Sequence, residues 1–144
     1  MNSVKRLPDW RERLGRMIES ARELQFQWGE FDCALHVANC VRAITGCEDP
    51  AAAYRRKYSD EAGAAAIYGP SFEDFMAAQC AQLGLEEVSV ALAQRGDVVL
   101  IDNGTAEGAA GIVSLDGRFA TCAAQNGMAL VRLDRWKRAW KIPA

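Results

Sequence analysis

Cys33 is the residue of this sequence best placed to carry chemistry. Asp32 before it is a good helix N-cap, and the apolar residues after it recur with a helical period, so the spacing predicts a helix over residues 33–45. Cys33 then lies in the first turn, where unpaired backbone N–H groups and the helix dipole stabilise a thiolate. The position predicts either a nucleophilic thiol or, as for most free cysteines, a small buried hydrophobe.

The single histidine, His36, follows Cys33 by three residues. Side chains on a helix lean toward its N-terminus, so the imidazole could approach the thiol and act as its base. Such a pair shares one short face and leaves little room for a substrate carbonyl, which favours a structural role for His36. Cys33, His36 and Cys40 also share one helical stripe, but zinc sites usually draw ligands from two elements. Core packing is therefore favoured, and no metal or other cofactor is predicted.

Helical signals dominate the first half of the chain. Capping residues and apolar residues at a 3.6-residue period mark each segment. The predicted segments are an amphipathic helix after Pro8-Asp9 that ends near Gly29, the helix over 33–45 that stops at Gly46, a short helix opened by Asp49-Pro50, an irregular or briefly helical stretch over 62–69, and a helix from Ser71 to Gly84.

From residue 86 the pattern changes to short β-prone runs. Asp-Gly between two such runs is a strong hairpin signal, because both central residues of a type I′ turn need positive φ. Helices followed by an antiparallel meander predict one α+β domain over residues 1–144, with the helix over 33–45 packed across the sheet. The helical part covers about 8–84 and the sheet about 86–142. The runs are 98–101, 111–115, 118–122, 128–133 and 139–142, with turns at Asn103-Gly104, Asp116-Gly117 and Asn126-Gly127.

Length and composition are those of an ordinary globular domain. The 144 residues are 50% hydrophobic and 25% charged, which excludes a disordered, collagen-like or coiled-coil chain. The net charge of -2 gives no general attraction to nucleic acid or to an acidic membrane. Residues 129–144 carry five basic residues and one acidic residue, an edge that could touch a phosphate or an acidic partner, although a solvated strand face is commoner.

Targeting signals and disulfides are not predicted. The first residues lack the apolar core of a secretory signal, and the longest uncharged stretch, 119–131, is 13 residues long, too short to span a membrane. Five cysteines without a CxxC pair favour free thiols in a reducing compartment. We therefore expect a cytoplasmic protein.

Three motifs, in order along the chain, resemble the NlpC-type bacterial cell-wall cysteine peptidases. Here they read Phe-x-Trp-Gly-x-x-Asp-Cys at 26–33, Gly-Asp-Val-Val-Leu at 96–100 and Gly-Ile-Val-Ser-Leu-Asp-Gly-Arg-Phe at 111–119. The family pattern is Tyr-x-Trp-Gly-Gly…Asp-Cys-Ser-Gly, then Gly-Asp-Leu-Val, then His-Val-Gly-Ile and a Gly-Arg-Phe hairpin. The resemblance covers roughly residues 26–142 and implies a papain-like α+β fold.

The resemblance assigns roles to several residues of this sequence. It places Cys33 on the family's nucleophile and Asp32 on the acidic residue that helps to hold the free amine of the substrate peptide. The family's catalytic histidine falls on Ala109, so the general base is missing from its usual place. The polar residue that orients this histidine falls near Thr121. The nucleophile is thus kept and the base is lost.

Further positions belong to the binding site that the resemblance implies. Phe26 replaces the family's substrate-contacting tyrosine, and Ala34 replaces the serine after the nucleophile. Trp28 keeps the tryptophan of the motif and could line a groove with Trp136 and Trp140, although core packing is the commoner role of such residues. Each replacement removes a polar function from the site.

The resemblance implies a diverged NlpC-type protein that has lost its base and acts in phage tail assembly or cell-wall peptide binding, because domains of this family often occur in phage tail modules. One alternative is an active thiol hydrolase of peptidoglycan peptides, with Cys33 as nucleophile and His36 as an unconventional base. Another is a purely structural or interaction protein. The expected partners are cell-wall peptides or phage tail proteins, with incorporation into a phage particle as a further expectation.

Overall fold

The structure is a computed structural model that describes residues 4–144, so the first three residues of the predicted domain lie outside the described residues. The described chain has the predicted α+β composition, with helices first and strands after them. The helices are α1 Trp10–Arg22, α2 Cys33–Thr45, α3 Glu61–Tyr68 and α4 Phe72–Gln82; the strands are β1 Glu86–Val88, β2 Val98–Ile101, β3 Ala109–Val113, β4 Phe119–Ala124, β5 Gly127–Arg132 and β6 Trp136–Lys141.

Helix α2 begins and ends where the sequence predicts. A carboxylate oxygen of Asp32 accepts a hydrogen bond from the amide of Leu35 at 3.0 Å, and Gly46 closes the helix with a φ of +70°. The start of α4 is also confirmed, because the Ser71 hydroxyl accepts from the amide of Asp74 at 3.1 Å. These caps satisfy N–H groups that the first turn of a helix leaves free.

Helix α1 ends at Arg22, well before the predicted end near Gly29. The chain then turns, and a bridge between Gln27 and Phe31 closes a tight loop. Gly29 in this loop has a φ of +83° and lies against Tyr58, so close that a Cβ would stand 1.9 Å from the Tyr58 carbonyl oxygen. This loop therefore includes a tertiary contact that local periodicity does not report.

The segment after Asp49-Pro50 is not helical, so that prediction is wrong. Asp49 accepts from the amide of Ala51 at 3.0 Å, but residues 50–56 form turns and Arg56 has a φ of +62°, outside the helical range. The Arg55 guanidinium holds the loop together through Asp49 at 2.7 Å. The alanine-rich segment that follows is the helix α3.

The strands form one antiparallel sheet in the order β1-β6-β2-β3-β4-β5. Strands β2 to β5 are the predicted meander. The hairpin at Asp116-Gly117 forms, but only Gly117 has a positive φ, so the predicted type I′ turn is wrong; the next turn is Gln125-Asn126, one residue before the predicted position, because Gly127 already pairs with Ala124. Strand β1 was not predicted, and β6 begins at Trp136, earlier than expected. The insertion of β6 between β1 and β2 is a long-range pairing, which residue alternation alone does not specify.

The sheet is strongly curled. The link Leu133–Arg135 joins β5 to β6 across four strand spacings, about 19 Å in a flat sheet, whereas four Cα steps reach at most about 14 Å. The Trp136 indole N–H accordingly donates to the Val131 carbonyl at 3.0 Å. The outer face packs on α2, which confirms the predicted packing. The concave face holds a second apolar set, here the inner cluster: Val99, Ile101, Ala109, Val113, Ala120, Cys122, Trp136 and Ala139.

Asp97, the acidic residue of the Gly-Asp-Val-Val-Leu motif, ties both ends of the described chain to the sheet. Its buried carboxylate accepts from the Arg6 guanidinium at 2.8 Å, the amide of Ile142 at 3.1 Å and the amide of Gln94 at 2.8 Å. Every contact is internal, so this motif residue has a structural role. Paired and hydrogen-bonded in this way, the buried charge is compensated.

Candidate functional site

Asp32 holds the loop before α2 as well as capping the helix. Besides the amide of Leu35, its carboxylate accepts from the amide of Gly29 at 3.2 Å and from the Tyr58 hydroxyl. Asp32 has no exposed surface. Its two oxygens are thus engaged inside the protein, and a ligand amine would reach them only if Tyr58 moved.

Cys33 packs both against the core between α2 and the sheet and against the inner cluster, and it remains partly exposed. Burial raises the pKa of its thiol well above the ordinary value, and the proximity of Cys122 and Asp32 raises it further. The backbone N–H groups of Ala110 and Ala34 point toward the sulfur and act in the opposite direction. Desolvation outweighs the helix N-terminus here, so the thiol is protonated at neutral pH.

Ala109, the residue on which the resemblance places the catalytic histidine, lies on β3 directly before Ala110. The N–H of the next residue, Ala110, approaches the Cys33 sulfur, so β3 carries Ala109 past the thiol. Ala109 is buried and belongs to the inner cluster, against which Cys33 packs. A methyl group therefore stands at this position, and it can neither take the thiol proton nor return one to a leaving amine.

His36 and Thr121, predicted separately as site residues, are in contact with each other. The Nε2 atom of His36 lies 3.0 Å from the Thr121 hydroxyl, which itself lies 3.4 Å from the carbonyl of Ile112. If the hydroxyl donates to that carbonyl, it accepts from Nε2–H, which fixes the imidazole tautomer. The Cys40 sulfur is 3.8 Å from both ring nitrogens.

This environment makes His36 a poor base. The side chain is fully buried, and burial lowers its pKa to about 4. Within residues 4–144 no hydrogen bond joins it to Cys33. Its imidazole is neutral at pH 7 but binds a proton too weakly to draw one from a thiol of raised pKa.

Three tyrosines from the 50–70 region surround Asp32, and sequence reasoning did not single them out. Tyr58 donates to the carboxylate, and the buried Tyr68 hydroxyl lies near Tyr58 without a hydrogen bond of normal geometry in the described chain. Burial raises the pKa of the Tyr54, Tyr58 and Tyr68 phenols, and the Asp32 carboxylate contributes to each shift. No motif marks these residues, because a folded loop and α3 bring them to the site.

The remaining predicted site residues divide into core and surface. Ala34 is buried against the core, and so are Trp136 and Trp140, as favoured for these tryptophans. Phe26 and Trp28 are half-buried, with their rings edge to face at 4.9 Å between centroids. This pair is the aromatic surface of the 26–33 motif that a ligand could contact.

The described residues form neither a metal-binding cluster nor a membrane-spanning helix. No group of three or more histidine, cysteine, aspartate or glutamate side chains among residues 4–144 is arranged to hold a metal ion. All five cysteines are free thiols. Among the described helices, none combines the length and apolarity that crossing a bilayer requires.

A known family model matches most of the chain. The family model described as "Domain of unknown function (DUF6950)" matches residues 5–142. The chain belongs to the DUF6950 family. The match spans every helix and strand given above, so Cys33, Ala109 and the His36–Thr121 pair all lie within the DUF6950 region. A search of curated proteins found no match to the chain.

Proposed function

We propose that this DUF6950 protein is a diverged NlpC-type domain of papain-like fold that binds a peptide segment without cleaving it. Motif order supports the relationship, and so does a cysteine at the N-terminus of a helix packed on an antiparallel sheet. The observation that carries the proposal is that Ala109, which precedes the residue whose N–H approaches the Cys33 sulfur and belongs to the cluster against which Cys33 packs, has only a methyl side chain. The nucleophile's place is kept and the base's place is empty of polar groups.

Peptide hydrolysis by a cysteine nucleophile requires a proton-transfer group in two steps. The thiol must lose a proton before it attacks a carbonyl, and the leaving amine must gain one. Cys33 has a raised pKa, and His36 is engaged by Thr121 and Cys40 in the core. These contacts support a site that has stopped catalysing peptide cleavage.

The burial of the Asp32 carboxylate limits which ligands the site can recognise. Its carboxylate is fully buried and already accepts three hydrogen bonds, so it is not offered to a free amine. The half-buried aromatic pair Phe26 and Trp28 is the apolar surface that the motif offers to a ligand. These features favour a segment of a partner protein, such as a phage tail protein, over a cell-wall peptide recognised by its amine.

Peptide turnover tests the catalytic half of the proposal. The purified chain is incubated with a peptidoglycan stem peptide, and products are followed by mass spectrometry. We expect no cleavage by the wild type and an identical result for Cys33→Ser. Turnover that Cys33→Ser abolishes would establish the active hydrolase, an alternative favoured by the N–H groups of Ala34 and Ala110 at the sulfur, which could bind an oxyanion.

Binding tests the other half. A stem peptide with a free amine and its N-acetylated form are titrated against the wild type, and the protein is co-purified with the proteins encoded beside its gene. We expect no preference for the free amine, and a partner whose binding survives Cys33→Ser but weakens in Phe26→Ala. Loss of peptide binding on acetylation, or failure of every neighbouring protein to bind, would contradict this assignment.

A further inference from the structure

A groove of about 480 Å³ lies where the start of α1, the Asp116-Gly117 turn and the end of β6 meet. Its lining includes Asp116 and Gly117 of the 111–119 motif but not Asp32, Cys33, Ala109 or the His36–Thr121 pair, and the groove does not depend on the function proposed for that site. Four basic side chains line it, and we call it the basic groove. These residues are Arg6, Arg11, Arg95 and Lys141.

Three of these four cations have no ion-pair partner among the described residues. Arg6 is engaged, since its guanidinium donates to Asp97, to the carbonyl of Ile142 and to the carbonyl of Arg95. Arg11, Arg95 and Lys141 form no ion pair with any residue in the range 4–144. The groove therefore presents three cations that have no ion-pair partner among these residues.

The acidic residue of the groove, Asp116, is occupied by its own turn. Its carboxylate accepts from the Ser114 hydroxyl and from the amide of Arg118 at 2.9 Å. These hydrogen bonds lower its pKa and hold it ionised within the hairpin. Asp116 shapes the rim of the groove and forms no ion pair with the groove cations.

The basic residues that the sequence places near the C-terminal end of the chain have two different environments. Lys137 and Arg138 lie close to Glu73, at 3.3 and 3.1 Å, and Arg138 also pairs with Glu87 at 2.7 Å. That part of the edge is neutralised within the protein. Lys141 instead borders the basic groove, where it joins two arginines from distant parts of the sequence.

Aromatic contacts position the guanidinium groups. The Arg6 and Arg11 guanidinium carbons lie 4.1 and 5.0 Å from the centre of the Trp10 ring, within cation–π range. The Arg95 side chain lies alongside the Gly117 turn, with its Cγ 3.7 Å from where a Cβ of residue 117 would stand. Side chains held in this way lose less conformational freedom when a ligand binds.

We propose that the basic groove binds a compact, multiply charged ligand that carries phosphate groups. Guanidinium forks match phosphate oxygens in pairs, and a lysine adds a point charge. The volume is that of a small-molecule site, and its cations are clustered around it, whereas an extended acidic peptide would be matched by cations in a row. The groove thus gives this chain of negative net charge a local site for an anion.

Calorimetric titration of the full chain with inorganic tripolyphosphate tests this assignment. At about 150 mM salt we expect one site per chain. The double substitution Arg11→Ala, Arg95→Ala should weaken binding by about tenfold or more, and Lys141→Ala should weaken it less. Arg95→Lys keeps the charge but loses the fork, so its affinity should fall between those of the wild type and Arg95→Ala.

The matched control is the double substitution Arg132→Ala, Arg135→Ala, which removes two exposed arginines outside the groove. We expect it to change the affinity less than about twofold, with all variants retaining the wild-type circular dichroism spectrum. Equal weakening by both double variants, several sites per chain, or no binding at this salt concentration would overturn the proposal. Tighter binding of a glutamate-rich peptide than of tripolyphosphate would overturn it in favour of an acidic partner.

Discussion

The imidazole of His36 and the hydroxyl of Thr121 lie 3.0 Å apart, buried between α2 and β4. The sequence offers both residues as parts of a catalytic site, one as a base and one as an orienting group. The structure joins them to each other, with Cys40 beside the ring. A polar pair that is buried and hydrogen-bonded in this way stabilises one specific packing of α2 on the sheet.

We expect Thr121→Val to destabilise the protein although it keeps the shape of the side chain. The substitution leaves an imidazole N–H buried without its partner, which costs about 1–3 kcal/mol. Urea unfolding of the wild type, Thr121→Val, His36→Phe and the double variant measures the coupling between the two sites. Strictly additive free energies of unfolding would show that the two side chains do not interact.

The protein should lose stability as the pH falls from 7 to 5. Burial lowers the pKa of His36 to about 4, whereas an unfolded histidine titrates near 6.5, so in this range the unfolded chain binds more protons. The stabilisation is present above about pH 6.5 and is lost progressively toward pH 4; at pH 5 the loss is about 2 kcal/mol. Unfolding curves at several pH values measure it. His36→Phe should flatten this part of the profile, and an unchanged slope would show that another group titrates there.

Cys33 should react slowly with iodoacetamide at neutral pH. Burial raises the pKa of its thiol, so little thiolate is present below pH 8. Peptide mass spectrometry after timed labelling compares it with Cys47, which is also partly exposed but lies at the opposite end of α2. Labelling of Cys33 well ahead of Cys47, with a midpoint below pH 8, would identify an activated nucleophile and favour the hydrolase.

The sequence predicts those parts of the structure that local signals specify. Asp32 and Gly46 delimit α2 through capping bonds a few residues apart, and Asp116-Gly117 turns a hairpin, so short-range chemistry is sufficient for both. The loop between α1 and α2 instead packs Gly29 against Tyr58, and β6 pairs with β2 across a large separation in sequence. Neither contact can be read from the periodicity of apolar residues in the sequence.

In the candidate site, too, some features follow from local sequence signals and others depend on long-range contacts. The first-turn position of Cys33 follows from the cap at Asp32, and the motif order locates Ala109 as its neighbour. The raised pKa of the thiol could not be predicted, because it arises from burial that depends on the complete fold. The tyrosines around Asp32 also come from a segment without recognisable motifs.

Introducing a base beside the thiol should activate it. Ala109→His places an imidazole on the strand position that passes Cys33, and a Cys–His pair lowers the pKa of the thiol. We expect alkylation of Cys33 at pH 7 to become about tenfold faster or more. Ala109→Asn is the matched control, since it adds a polar side chain without a base, and an equal acceleration in it would indicate opening of the inner cluster instead.

Gly29 of the 26–33 motif should be required for folding, and not only for any ligand. A Cβ there would stand 1.9 Å from the Tyr58 carbonyl oxygen, and the φ of +83° disfavours other residues as well. Gly104 has a similar φ of +85° but nothing within 4 Å of the added Cβ. We therefore expect Gly104→Ala to cost about 1 kcal/mol and Gly29→Ala at least about 3 kcal/mol in urea unfolding. Equal losses in the free energy of unfolding would show that the loop around Gly29 can rearrange, and that the contact with Tyr58 does not require glycine at this position.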